Sequence, residues 1–144
     1  MKVRRILSTK GMRVITIGPG KQIRDAVALL SQHNIGALVV VDESNHPIGI
    51  LSERDIIREA ASNEDVFGLQ VADLMTRDVI TGMPGDDTHS LAHTMTDRRF
   101  RHMPIVDDGK LIGIVSIGDI LKAERDQYRG EIDTLETQIM ADDE

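Results

Sequence analysis

Two short segments place a hydroxyl and a carboxylate three residues apart, each where an aliphatic run passes into a helix-forming one. They are Ser52-Glu53-Arg54-Asp55 and Ser116-Ile117-Gly118-Asp119. A helix start has free N–H groups that donate to phosphate, and a nearby hydroxyl and carboxylate can hydrogen-bond phosphate and ribose hydroxyls. The same spacing is also a capping box, with Ser at the N-cap and an acid three residues on, contributing about 1 kcal/mol through the cap. The two uses are compatible, because a Ser can cap while its neighbouring Asp holds a ribose.

The densest basic cluster is Asp97-Arg98-Arg99-Phe100-Arg101-His102, between a helical pattern and the aliphatic run that begins at Met103. Arg101 and His102 can reach a phosphate there, since guanidinium forks pair well with phosphate oxygens. The plainer reading is a solvated loop with charged ends. His89 and His93 stand four apart on a helical pattern, so both rings could face one metal ion, but no third ligand stands out and no metal site is expected. Dinucleotide-binding, P-loop, nucleophile-elbow and HExxH motifs are absent, and the chain has no cysteine, which excludes thiolate catalysis, disulfides and zinc ribbons. No catalytic residue is assigned. A nucleotide hydrolase would need a base or metal beside the phosphates, and only the His89 and His93 pair offers one.

The elements that must position these groups occur twice. VITIGP at 14–19 returns as VITGMP at 79–84, ALVVVD ending at Asp42 returns as HMPIVD ending at Asp107, and GILSERDII from Gly49 returns as GIVSIGDIL from Gly113. The offset is 65 for the first two pairs and 64 for the third, one residue being dropped in the turn after Asp107, and such a near-constant offset marks a repeated structural unit. Each copy reads as strand, helix, strand, strand, helix. The first has strands at 14–17, 38–41 and 48–51 and helices at 23–33 and 52–60. The second has strands at 79–81, 103–106 and 111–115 and helices at 88–98 and from 116 onward. Short helices at 3–7 and 71–75 lead into the copies. The copies are expected to pack by a pseudo-two-fold into an α/β (α+β) fold, which makes two similar clefts rather than one linear site. Because Gly36 and Ala37 stand where the second copy has Arg101 and His102, the clefts are unequal.

A chain of 144 residues fits one domain, and each copy alone would be marginal. There is no run of 18 apolar residues and no secretory pattern near the start, so a soluble cytoplasmic protein with no membrane partner is expected. The net charge of −7 is concentrated after residue 130, where six acids and no base occur. The rest is nearly neutral, without the basic stripe of a nucleic-acid binder. In the last helix, residues 121, 128 and 135 and residues 125, 132 and 139 form a weak heptad. It either packs on its own domain or meets a second copy of the chain.

The two copies resemble a tandem pair of CBS domains, the module named for cystathionine β-synthase, over residues 3–122. The resemblance rests on IGILSERDI at 48–56, IGIVSIGDI at 112–120 and the FRHMPIVDDGKLIGIVSIGDIL stretch. It implies two β-α-β-β-α repeats (residues 1–60 and 71–122) joined by a connector at 61–70 and followed by an acidic helical tail at 123–144. It also implies that the clefts bind an adenine nucleotide: AMP, ADP, ATP or NAD(H), with S-adenosylmethionine sharing the same adenosine. By resemblance Asp55 and Asp119 contact ribose, and Ser52 and Ser116 contact ribose or phosphate. Thr16, Ile17 and Pro19, and likewise Thr81, Gly82 and Pro84, line the adenine pocket. Ile35, Gly36 and Ala37 on one side and Arg101, His102 and Met103 on the other complete the walls. Arg54 compensates in part for the missing bases of the first copy, and the cleft around Asp119 is expected to bind better. The implied protein is a non-enzymatic sensor with no catalytic cofactor, a homodimer acting on a separate protein partner. The alternative is a structural dimerisation module with vestigial clefts.

Overall fold

The computed structural model describes residues 1–11 and 13–142; Asp143 and Glu144, the last two acids of the expected tail, lie outside them. Helix α1 (Val3–Lys10) precedes the first repeat: β1 (Thr16–Ile17), α2 (Ile23–His33), β2 (Ala37–Val41), β3 (Pro47–Ser52) and α3 (Glu53–Ala60). A 3₁₀ turn at Val66–Gly68 and α4 (Val71–Leu74) lead to the second repeat: α5 (Thr88–Arg98), β4 (His102–Asp107), β5 (Lys110–Ser116) and α6 (Ile117–Asp142).

Local chemistry sets these elements. Strand β2 is a run of β-branched and aliphatic residues, and Leu38, Val39 and Val40 have no solvent exposure, as expected of a central strand covered on both faces. It pairs in parallel with β1 and antiparallel with β3, so α2 supplies the crossover that parallel pairing needs. Helix α2 starts on a reciprocal Gln22–Asp25 box and ends at Asn34, whose left-handed backbone (φ 51°) stops it.

In the second repeat β4 and β5 pair alone, and the strand expected at 79–81 shrinks to one parallel bridge between Gly82 and Ile105. The Gly82 N–H donates to Pro104 O (2.9 Å) and the Val106 N–H to Gly82 O (2.8 Å). The next rung toward the N-terminus would require an N–H on residue 104, and proline has none. The equivalent residue of the first repeat is Val39, which pairs with Thr16.

Each repeat completes its core with a helix from the other side of the chain. Val3, Ile6 and Leu7 of α1 pack with Leu91, Met95, Met103, Ile105, Val115 and Ile120, whereas Val71 and Met75 pack with Ile23, Leu30, Leu38, Leu51 and Ile56. The docking is matched: the Val3 N–H donates to Asp86 O (3.0 Å) and the Val71 N–H to Lys21 O (2.8 Å). These paired contacts realise the expected pseudo-two-fold. Gly113 lets α1 approach, because a Cβ there would sit 2.6 Å from Leu7 Cδ2.

Beyond Ala123, which still packs against the second core, the last helix leaves it. Leu121, Tyr128, Ile132, Leu135 and Ile139 are all exposed, so the stripe does not pack on its own domain. Among the described residues no helix is long and apolar enough to cross a membrane.

Candidate functional site

Both Ser-x-x-Asp segments form capping boxes. Ser52 is the extended N-cap of α3: the Asp55 N–H donates to Ser52 Oγ (3.2 Å), while the Ser52 N–H and hydroxyl both donate to Asp55 Oδ2 (2.9 Å each). In the second repeat the Ser116 N–H donates to Asp119 Oδ2 (2.9 Å) and the Asp119 N–H to Ser116 Oγ (3.0 Å). One backbone bond ties each helix start to the segment before its middle strand. The Glu53 N–H donates to Gly36 O (2.9 Å) and the Ile117 N–H to Arg101 O (3.0 Å). The two half-sites therefore share a backbone and differ in side chains.

A cavity of about 660 Å³ opens between the repeats. The first repeat contributes Gly36, Ile50, Ser52, Glu53, Arg54, Asp55 and Arg58. Across from them stand Thr76, Asp78, Val79, Ile80, Arg98, Arg99, Phe100, Arg101 and His102. Arg99 caps α5 in the left-handed conformation (φ 62°), and this turn carries the arginines toward α3. Five guanidinium groups face three carboxylates, a local excess of positive charge in a chain whose net charge is −7. Burial, and then the Lys10 ammonium, hold the His102 imidazole below its ordinary pKa, so the ring is neutral at pH 7.

Arg101 and His102 line this cavity with Asp55, and they also border the second helix start, because Arg101 O accepts from the Ile117 N–H and His102 pairs with Ser116 across β4 and β5. The helix start at Asp119 holds a different cation. Lys10 Nζ donates to Asp119 Oδ2 (2.5 Å) and to Ile114 O (2.9 Å). Burial would raise the Asp119 carboxyl, but the Lys10 hydrogen bond and the Ser116 N–H outweigh it and hold the pKa below the usual carboxylate value. At the matching place in the first repeat, Ile50 pairs with the Thr76 backbone instead (2.8 and 3.0 Å), and among the described residues Asp55 has no lysine partner.

Of the residues singled out from sequence, Gly36, Ser52, Arg54, Asp55, Arg101 and His102 come together in the cavity. Ser116 and Asp119 lie at the second helix start. Ile17, Ala37 and Met103 are buried, and Gly82 forms the strand bridge. Pro19 and Pro84 dock the lead-in helices, their carbonyls accepting from the N–H groups of Ala72 (3.0 Å) and Arg4 (2.9 Å). Thr16, Ile35 and Thr81 are not among the residues lining the cavity. Arg58 and the wall of Thr76, Asp78, Val79 and Ile80 were missed, and Arg98 and Arg99 were seen only as members of the basic cluster. Arg58 was findable, three residues from Asp55 on one helix face. His89, weighed as a metal ligand, lies with Nδ1 3.3 Å from Glu124 Oε1, and among the described residues no group of three His, Asp or Glu could hold a metal.

The family model described as CBS domain matches residues 3–62 and 71–126. An uncharacterized 17.7 kDa protein of Acidianus ambivalens is 40% identical over 128 residues, 88% of this chain and 75% of its own length. The crystal structure of the CBS-domain containing protein ATU1752 from Agrobacterium tumefaciens superposes with a TM-score of 0.82 at 38% identity, covering 86% of this chain and 99% of that one. The CBS domain pair of protein MJ0100, solved with 5′-methylthioadenosine and S-adenosyl-L-methionine, gives a TM-score of 0.79 at 30% identity, covering 88% and 98%. Two further curated relatives, from Arabidopsis thaliana and Methanopyrus kandleri, are longer, and this chain spans 59% and 58% of them.

Proposed function

The chain belongs to the CBS-domain family as a tandem pair of repeats, and from that premise we propose that it is a non-enzymatic regulatory module. It binds an adenosine-containing nucleotide, AMP, ADP, ATP or NAD(H), in the cavity beside Asp55. The observation that carries this reading is one cavity joining the Ser52–Asp55 helix start to five arginines. A carboxylate suits ribose hydroxyls, and guanidinium forks suit phosphates. The cavity volume lies within the roughly 300–1,000 Å³ usual for small-ligand sites. The excess of arginine favours anionic nucleotides over S-adenosylmethionine, whose sulfonium is cationic.

On this reading the protein is a homodimer that answers to a separate protein partner. Ligand binding acts by favouring one packing of the repeats over another, which requires unequal affinity for the two arrangements. Isothermal titration calorimetry against AMP, ATP, NADH and S-adenosylmethionine tests it, using protein first verified by native mass spectrometry to be ligand-free. Saturable heat with an anionic nucleotide, without turnover, is expected. Heat from none of the four overturns the proposal and favours a dimerisation module with vestigial clefts.

A further inference from the structure

Among the described residues, nothing covers one seam of the tail helix. From Tyr128 to Ala141 every residue is exposed, a length of about 21 Å at 1.5 Å per residue. Within α6, Leu121, Tyr128, Ile132, Leu135 and Ile139 are 54–62% exposed. With Arg125 they occupy six successive positions spaced alternately by four and three residues, which align along one side of a helix.

Charge selects the occupant. Residues 121–130 carry Lys122, Arg125 and Arg129 against Glu124 and Asp126, whereas 131–142 carry Glu131, Asp133, Glu136 and Asp142 and no base. A parallel pair of tails would stack two acidic halves. An antiparallel pair sets each acidic half against the three bases of the other chain. We infer that the tails of two copies pair antiparallel along this seam, Leu121 against Ile139 of the second copy, Arg125 against its Leu135 and Tyr128 against its Ile132. The tail is rooted in the folded repeat through the buried Ile120, so the pairing need not nucleate the helix, which makes a seam of fewer than three heptads sufficient. The inference rests on the homodimer reading and is independent of the nucleotide.

The absence of native cysteine makes cross-linking clean. The Leu121→Cys/Ile139→Cys protein is expected to form a covalent dimer under mild oxidation, while Leu121→Cys alone remains monomeric on a denaturing gel. The two positions are about 27 Å apart within one helix, too far for an internal bridge. In parallel, sedimentation equilibrium of Ile132→Glu/Leu135→Glu should show the dimer dissociation constant raised at least about 100-fold. Both substitutions are on exposed sites and leave the repeats folded. Efficient cross-linking of Leu121→Cys alone overturns the antiparallel arrangement. A glutamate variant that stays dimeric overturns the tail interface and leaves the homodimer standing. Monomeric wild-type protein at 100 µM overturns both.

Discussion

Substituting Asp55 and Asp119 one at a time separates the two clefts, because their carboxylates are differently engaged. Asp55 Oδ2 accepts from the Ser52 N–H and hydroxyl, and among the described residues Oδ1 has no hydrogen-bond partner. It is free for a ribose hydroxyl. Asp119 Oδ2 accepts from the Ser116 N–H and from Lys10, which also bonds the Ile114 carbonyl. In Asp55→Asn the single amide oxygen is retained by the Ser52 N–H, so the cap survives and the amide NH₂ turns toward the ligand. One hydrogen bond to a charged acceptor is then lost, about 1.5–3 kcal/mol, or about a 10- to 150-fold weaker Kd. Asp119→Asn should leave affinity within about threefold, since it removes only an internal ion pair. Calorimetry with ATP on both variants, with thermal melts to establish folding, reads this directly. A folded Asp55→Asn protein with unchanged affinity, beside an Asp119→Asn protein that has lost it, would refute the assignment of the ligand to the arginine-lined cavity.

Three further outcomes are expected. Lys10→Met removes the partner of a depressed carboxylate, and its partly exposed ion pair contributes about 0.5–1 kcal/mol. That contribution is present above the unfolded pKa of about 3.9 and is lost as pH falls through the lower folded pKa, so urea curves of wild type and variant should differ at pH 7 and converge near pH 2. A constant gap across that range would show that Lys10 acts through packing. Gly113→Ala should cost about 1–3 kcal/mol, because the new methyl meets the buried Leu7 at 2.6 Å, and Leu7→Ala in the same chain should cancel part of that cost; strict additivity would place the strain elsewhere. His102 is neutral at pH 7, and an arriving phosphate raises its pKa, so nucleotide binding near pH 6 should take up protons and tighten as pH falls. Calorimetry in two buffers of different ionisation enthalpy measures the uptake, and a buffer-independent heat would put the phosphates out of its reach.

What could be read from sequence was what local chemistry decides. The span Thr88–Arg98 and the start of α2 at Ile23 follow from apolar residues at helical spacing, and the Ser52 and Ser116 boxes follow from two side chains acting within four residues. The second repeat's first strand was misread because VIT at 79–81 copies VIT at 14–16, whereas the decisive residue, Pro104, lies on its partner. The strand failed for a reason its own sequence does not contain. Lys10 had no signal in its surroundings, and its partner is 109 residues away. The arginine cluster was visible, but the cavity it shares with Asp55 was not, because residues were grouped by repeat.

Side chains shared between the repeats explain how a pseudo-symmetric scaffold yields unequal helix starts. The cavity joins Gly36 and the α3 start of the first repeat to residues 98–102 of the second, so a side chain gained in the second repeat alters the surroundings of Asp55. Arg101 belongs to the second repeat but faces Asp55, and Lys10, ahead of the first repeat, neutralises Asp119. A ribose at Asp55 finds an unoccupied carboxylate oxygen beside a cationic wall. A ribose at Asp119 must first displace an ammonium that has two oxygen partners. Equivalent helix starts are therefore unequal: among the described residues Asp55 keeps an unpartnered carboxylate oxygen beside the arginines, whereas Asp119 is paired with Lys10, and the asymmetry arises largely from side chains that reach each helix start from outside its own repeat.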